Sequence, residues 1–588
     1  MEGRAPCERP ALAIMARDMD WTPVSAARWL FDSQSGPSNR FLARWIFLRA
    51  LGLSYFSAFF SLLFQIRGLI GPNGILPADE YLHALAENYG RAAAHFYAPS
   101  LLWFSSSAHA LMLLCWVGMA ASLLLFLNLW PRGMLVICFV CFLSFVAAAG
   151  EFSGYQSDGM LLEAGFLSLF VAPGGFRPRL GEKSPPVRTA LFLLFWEWFR
   201  IYFESGVAKI ASGDPEWRHF TAMDEYYQNG PLPTWIGWYA QQRVPHWFHA
   251  GSAFLTIALE LVIIWTAFLP RPVRIVLFFI VTPWQIGIII TANYTFLNYI
   301  VLFLGFLLLD DRFLSRFFPA KWAKSLLDRA AEAAKDSGGL AASADELSIL
   351  SPAASAPLPA AAAQTPSSSP PDWQGRLRAA YAALRMGVAF IAGIILSWIF
   401  YAATAQMLLM IAPDVGLPVT PIALLNPARI ANRYGLFAVM TRGRYEIEFQ
   451  GSNDGQTWIP YPFRFKPQDV NKAPGIYAPY QPRFDWNLWF ASLGEWRGNP
   501  LVLRTERRLL SNDADVLALF AANPFPQNPP REVRAVLWQY WFTTPAEKKA
   551  TGAWWRRELL GLYAPAIELA ADGEIEVTQW PQPLPPHE

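Results

Sequence analysis

At least eight apolar segments long enough to cross a bilayer run through the first 411 residues of this 588-residue chain, and then the hydrophobic blocks stop. A hydrocarbon layer about 30 Å thick needs roughly 20 mostly apolar helical residues, because every backbone N–H and C=O must be paired inside the segment. Nine candidates can be delimited: Trp45–Ile66, His109–Trp130, Gly133–Gly150, Asp158–Ala172, Thr189–Ile210, Trp247–Leu269, Val273–Thr291, Asn293–Leu309 and Leu384–Ile411. The fourth is short, which implies tilt or a partly re-entrant path. Only 16% of residues are charged and 54% are apolar, unlike a soluble chain, where about 25% are charged. The pattern predicts a polytopic α-helical membrane bundle followed by a polar domain, with membrane lipid as its first partner. The net charge of +2 excludes a nucleic-acid partner, which would require a strongly basic face.

Residues 1–40 carry Pro, Ser and five arginines, which reads as a disordered cytoplasmic tail without a cleavable signal peptide, so that the first span inserts by itself. With that end inside, the inner loops hold Arg132, then Arg177, Arg179, Lys183 and Arg188, then Arg271 and Arg274, and the outer loops are poor in Lys and Arg, as the positive-inside bias requires. Nine spans then place the last domain outside the cytoplasm. The expected layout is a tail at 1–40, an eight-span core with outer interfacial loops at 41–311, an Ala/Ser/Pro-rich flexible linker at 312–380, a ninth transmembrane helix at 381–411 and an extracytoplasmic α+β domain at 412–588. The linker, which includes Pro352–Pro371, buries too little apolar surface to offset its ordering entropy. It would let the ninth helix carry the outer domain independently of the core. Gly68–Leu76 and the amphipathic Pro77–Tyr97 suit either a short helix at the interface or an ordered cap on the bundle.

Charges inside spans are expensive unless paired. Asp158 and Glu163 occur in SDGMLLEAG, Glu197, Arg200 and Glu204 in FWEWFRIYFESG, Lys209 in GVAKI and Glu260 in IALELVI. Glu197, Arg200 and Glu204 stand at i, i+3 and i+7 and share one helix side, with Asp158 and Glu260 as expected partners from neighbouring helices. One reading is a buried ion network that fixes helix register. The other is a site opening outward at Lys209, where desolvation would bring the ammonium into the range useful for proton abstraction, with Asp214 and Glu216 of the following GDPEW holding its charge at the outer surface.

Cys138 and Cys141 have CxxC spacing, but they sit in an apolar helix with no further Cys or His nearby, so packing is expected rather than metal or redox work. His246 and His249 form a close pair in PHWFH without an evident third ligand, so no metal site is expected. No GxSxG elbow, HExxH, P-loop or GxGxxG signature is present, which leaves hydrolase, kinase and dehydrogenase readings unsupported and implies no cofactor.

In the polar domain, Arg444–Gln450 alternates as a strand, GSNDGQTW supplies a turn, and Ile459–Phe465 reads as the returning strand of a hairpin; the SNDGxxW element resembles the hairpins of discoidin-like β-sandwich modules. Trp486–Leu493, Leu509–Phe520 and Arg531–Tyr540 read as short helices. The tryptophans 486, 489, 538, 541, 554 and 555 are expected either as core or as an exposed anchor or partner surface.

Residues 202–240, YFESGVAKIASGDPEWRHFTAMDEYYQNGPLPTWIGWYA, closely resemble the central motif of the lipase maturation factor family. The resemblance extends through SDGMLLEAGFLSLF at 157–170 and NYTFLNYIVLFLGFLLLDD at 293–311, and resumes in NRYGLFAVMTRGRYEIEFQGSNDGQTW, YQPRFDWNLWFASLG, NPFPQNPPREVRAVLWQYWFT and WWRRELLGLY. It implies a membrane-anchored folding factor for exported proteins, in animals an endoplasmic-reticulum protein that helps dimeric lipases assemble, and in bacteria an inner-membrane counterpart. The client-facing surfaces would be the outer loop with Asp214, Glu216, Trp217, Asp224 and Tyr227, and the outer-domain residues Arg483, Asp485, Trp486 and Trp489. The membrane half is also distantly similar to the vitamin K-dependent γ-carboxylases, in which a lysine at the end of a YF…G…K segment acts in vitamin K oxidation; Lys209 matches it. That likeness implies the alternative of a membrane enzyme acting on a lipid, a quinone or an exported polypeptide.

Overall fold

The computed structural model describes residues 23–32, 36–37, 39–319, 328, 373–570 and 573–584. Most of the expected linker, including Pro352–Pro371, and residues 1–22 of the expected tail lie outside the described residues. Part of that tail is a helix rather than disordered chain: α1, Pro23–Phe31. Proline at the first helical position suits the free N–H there, and Arg385, 2.9 Å from Asp32, ties its end to the last membrane helix.

The membrane domain is built from α2 (Phe41–Leu63), two short surface helices α3 (Ala78–Tyr89) and α4 (Arg91–Tyr97), then α5 (Ala108–Phe126), α6 (Pro131–Ala148), α7 (Gln156–Val171), α8 (Arg188–Ala211), α9 (His246–Leu261), α10 (Arg271–Thr291), α11 (Leu297–Gly305) and α12 (Trp373–Ile411). By length and composition α2, α5, α6, α10 and the Ala383–Ile411 part of α12 qualify as membrane spans among the described residues. The other expected spans are helices that are shorter or, in α8, interrupted by charge. The chain is therefore a multi-pass membrane protein.

Side chains close the helix ends. The Asp311 carboxylate accepts from the N–H groups of Phe41 and Leu42 at 2.9 and 2.8 Å, satisfying two orphan donors where the helix dipole is positive. Arg44, fully buried, donates to the carbonyls of Val171, Leu180, Gly181 and Ser184 and so gathers the chain that leaves α7. Close approach uses glycine: a Cβ on Gly165 would lie 2.0 Å from the Tyr55 hydroxyl oxygen. Cys115, Cys138 and Cys141 are buried free thiols in this packing.

The polar domain is one six-stranded antiparallel sheet with helices, not a sandwich. Its strands are β1 (Arg444–Ser452), β2 (Ile459–Pro460), β3 (Glu532–Phe542), β4 (Trp555–Leu562), β5 (Ala566–Leu569) and β6 (Ile575–Gln579), in the order β2-β1-β3-β5-β6 with β4 also on β3. The expected turn is present: Asp454 accepts from the N–H groups of Gln456 and Thr457 at 2.9 and 2.7 Å, and Gly455 takes φ +68°. The returning strand shrinks to Ile459–Pro460, because Pro460 and Pro462 remove ladder donors.

Arg531–Tyr540 is not a helix but most of β3, the central strand, paired with β1 from Arg444 opposite Tyr540 to Ser452 opposite Glu532. Helices α13 (Arg483–Ser492) and α14 (Pro500–Leu510) pack on β1 and β3; of the expected helix Leu509–Phe520, Leu509 and Leu510 end α14 and Ala514–Leu517 forms a separate short turn. One apolar core reaches across the halves, from Phe59, Phe142 and Phe296 to Ile447, Leu488 and Phe520, and a second, aromatic cluster joins Tyr226, Trp238 and Tyr294 to Trp486, Tyr540 and Trp555.

Candidate functional site

The α8 stripe points inward: Glu197, Arg200 and Glu204 are fully buried and Lys209 nearly so. Arg200 bonds Glu163 of α7 and lies 3.5 Å from Glu204. What these groups chiefly hold, however, is not one another. The chain that runs from α12 to β1 crosses the membrane domain as an irregular strap, residues 430–443, and the stripe satisfies its backbone.

The contacts follow the strap in order. Arg200 donates to the Asn432 carbonyl at 2.6 Å, and Glu163 accepts from the Asn432 N–H at 2.9 Å and the Tyr434 hydroxyl at 2.9 Å. Glu204 accepts from the Tyr434 N–H at 2.6 Å, and the Ser205 hydroxyl from the Leu436 N–H at 3.2 Å. Lys209 donates to the Leu436 carbonyl at 2.9 Å, Trp217 to the Phe437 carbonyl at 2.9 Å and Ser212 to the Ala438 carbonyl at 2.8 Å. Asp214 accepts from the Met440 N–H at 2.6 Å, and Asn229 donates to the Thr441 carbonyl at 2.8 Å. Arg444 completes the series on the carbonyls of Gln228, Gly230 and Pro231. Non-helical backbone among apolar helices needs such partners, since each unmet polar group costs several kcal/mol there.

Lys209 is paired within 3.0 Å with Glu260 of α9 and sits 5.1 Å from the Trp217 ring centre. Asp214 and Glu216 do not hold its charge: Asp214 caps the short helix Pro215–Arg218 and binds the strap, and Glu216 bonds Thr221. The space beside Lys209 amounts to about 70 Å³, room for about two waters at ~30 Å³ each and too little for a quinone ring. Glu197 lies 3.5 Å from the Tyr434 hydroxyl.

Asp158, expected as a partner of the α8 stripe, instead forms a bidentate pair with Arg483 of α13 at 2.7 and 2.8 Å. The same arginine donates to the Phe152 carbonyl at 2.7 Å. Further locks are Gln65 on the Arg483 N–H and the Gln481 carbonyl, and Asn293 on the N–H groups of Tyr477 and Ala478. At Gly68 a Cβ would lie 2.4 Å from the Asp515 carbonyl oxygen, so this glycine lets the polar domain sit directly on the bundle. The polar domain is docked, not carried loosely by the last helix. Arg483, Asp485, Trp486 and Trp489 are all buried, because α13 is itself the docking helix, and the two tryptophans border the cavity between the domains.

Of the outer-loop residues, Asp224 pairs with His246 at 3.0 Å and Tyr227 packs against Tyr226, while His249 faces the Val244 carbonyl. The two histidines thus go to different partners. Between the domains lies a cavity of about 510 Å³ bordered by the start of α7, the strap, Tyr226, Tyr294 and α13. Asn432, Tyr434, Gln65 and Asn293 were not singled out by residue type or spacing; the strap motif NRYGLFAVM was visible only as a resemblance, having no period of its own.

The "Lipase maturation factor transmembrane domain" family profile matches residues 42–316 and the "Lipase maturation factor C-terminal domain" profile residues 430–565. The chain is 32% identical to lipase maturation factor 2 of Gallus gallus over 90% of this chain and 81% of that protein. It is 30% identical to lipase maturation factor 1 of Bos taurus over 92% of each chain, and 29% identical to lipase maturation factor 1 of Mus musculus over 93% of this chain and 90% of the other. No solved structure matches the chain with significance. The two matched regions fall on the bundle and on the docked sheet, and the motifs that line the strap run through both: the chain belongs to the lipase maturation factor family.

Proposed function

We propose that this chain is a membrane-anchored maturation factor for exported lipases, acting in a membrane across which proteins are exported and with its sheet domain on the extracytoplasmic side. The clients are inferred from the relatives, whose names are those of lipase maturation factors. The carrying observation is that Asp158, Glu163, Arg200, Glu204 and Lys209 all bind the protein's own strap or docking helix. The buried charge therefore serves to hold a surface in place rather than to open a reactive site, and Lys209 is a positioning residue.

The test is co-expression of a secreted lipase with this chain or an empty vector, reading secreted lipase activity per unit of lipase antigen. A ratio unchanged by the chain refutes the reading. The side is tested separately: a reporter active only outside the cytoplasm should be active after Glu588 and silent within Pro352–Pro371, and the reverse pair of results overturns the placement.

A further inference from the structure

The cavity between the domains has a chemistry that the docking of the two halves does not use. Its volume of about 510 Å³ falls within the range of ligand pockets, ~300–1,000 Å³. Aromatic rings of Tyr155, Tyr226, Tyr294 and Phe490 form much of its wall, and Glu151 is the one carboxylate or basic side chain that lines it. Four lining residues are more than nine-tenths buried and carry a polar atom with no partner among the described residues: the hydroxyl of Ser157, the indole nitrogens of Trp486 and Trp489 and the amide oxygen of Asn229. The strap supplies a further row. Its carbonyls at Leu436, Phe437 and Ala438 are taken by Lys209, Trp217 and Ser212, yet the N–H groups of Phe437, Ala438 and Val439, which border the cavity, donate to no group among the described residues.

Donors and an acceptor left unmet beside an apolar, aromatic wall call for an occupant that brings both kinds of partner along an apolar body. An acyl chain brings neither, and an anionic headgroup would face the Glu151 carboxylate with no basic side chain among the lining residues to meet it. An extended peptide brings carbonyls and N–H groups at regular intervals and places alternate side chains to either side, as in strand addition to a free edge. We propose that this cavity binds an extended, uncharged, apolar stretch of the client polypeptide, its backbone pairing with the strap at Phe437–Val439 and with the Trp486 and Trp489 indoles. The proposal rests on the maturation-factor reading and names how that factor grips its client.

The test uses the full chain in detergent and a dansyl-labelled decapeptide of alternating valine and serine, with binding read by fluorescence anisotropy. The double variant Trp486→Phe, Trp489→Phe keeps an aromatic, though smaller, ring at each position and removes the donors. It should weaken peptide binding at least tenfold at an unchanged melting temperature, and lower secreted lipase activity in the co-expression assay. Should the double variant melt early, Val439→Pro replaces it: this exposed residue has no N–H bond to lose, and the substitution should cause the same tenfold loss. Unchanged peptide affinity in these variants, or displacement of the peptide by oleate, overturns the inference. Absence of peptide binding by a parent chain that still raises lipase activity overturns the cavity assignment alone. A parent chain that binds the peptide through the indoles but leaves lipase activity unchanged overturns the client assignment and the maturation reading together.

Discussion

Breaking the Asp158–Arg483 pair should release the sheet domain from the bundle. Both side chains are at most 1% exposed, the two bonds measure 2.7 and 2.8 Å, and the guanidinium also lies 4.8 Å from the Phe145 ring centre. Removing one partner strands the other charge where water cannot reach it, a loss of about 3–5 kcal/mol, whereas replacing both by apolar groups of similar volume is often near neutral. Asp158→Leu and Arg483→Met should each therefore be far worse than the double variant. If undocking is the opening that exposes α13, its amides should exchange hydrogen roughly a hundred- to several-thousandfold faster in each single variant, at about 1.4 kcal/mol per tenfold. Native-state hydrogen exchange followed by mass spectrometry on peptides covering Arg483–Ser492 measures this, with peptides from β3 as the internal control. The double variant should recover most of the protection. Parental exchange in both single variants, or a double variant worse than either, would refute the claim that this buried pair sets the docking energy.

Three further outcomes are expected. Gly165→Ala should lower the melting temperature, because the new methyl would lie 2.0 Å from the Tyr55 hydroxyl oxygen, an overpacking cost of about 1–3 kcal/mol; adding Tyr55→Phe should restore much of it, and a double variant no better than the single counts against this contact. Burial pushes the Asp485 carboxyl up to about 6 from its ordinary 3.8, against the Lys466 ammonium that pulls it down, so the fold favours the protonated acid, and that stability is full below about 3.8 and lost as pH rises through about 6. Asp485→Asn should then raise the melting temperature at pH 8, by on the order of 3 kcal/mol of stability, with the gain gone near pH 4; a gain independent of pH would sink the argument. Lys209→Met should destabilise the chain by stranding Glu260, while Lys209→Arg should keep both fold and lipase maturation; an arginine variant that folds normally but is inactive would make the lysine a proton-transfer residue instead.

The membrane helices were legible because only a helix satisfies its backbone within one segment in hydrocarbon, so a long continuous apolar run marks it. The inward stripe was legible too, from the i, i+3, i+7 spacing of Glu197, Arg200 and Glu204. Strand β3 was not. Val533, Val536, Leu537 and Tyr540 fall at i, i+3, i+4 and i+7, a helical pattern, and the strand arises because the whole segment pairs with β1 across nine residue positions. Tertiary pairing overrode a local period, and the valine and aromatic content of the segment was the remaining clue. The partners of the charges were hidden for a different reason. Arg483 meets Asp158 across 325 residues, and the strap is held by side chains that touch its backbone, an arrangement that leaves no periodicity in either sequence.

That arrangement changes what the buried charges imply. A carboxylate inside a membrane domain ordinarily suggests ion or proton passage, but here the acceptors Glu163 and Glu204 and the donors Arg200 and Lys209 are occupied by peptide groups of a segment that could not otherwise lie among apolar helices. The cost of burying the ions and the cost of burying the strap offset each other, so neither persists without the other. A strap fixed in this way makes the sheet domain part of the bundle, and a client segment lying along its open edge would be held at one height and one orientation above the membrane. Such a grip can order an emerging chain without chemistry, because holding a segment extended removes conformations that would otherwise compete with its correct partner strand.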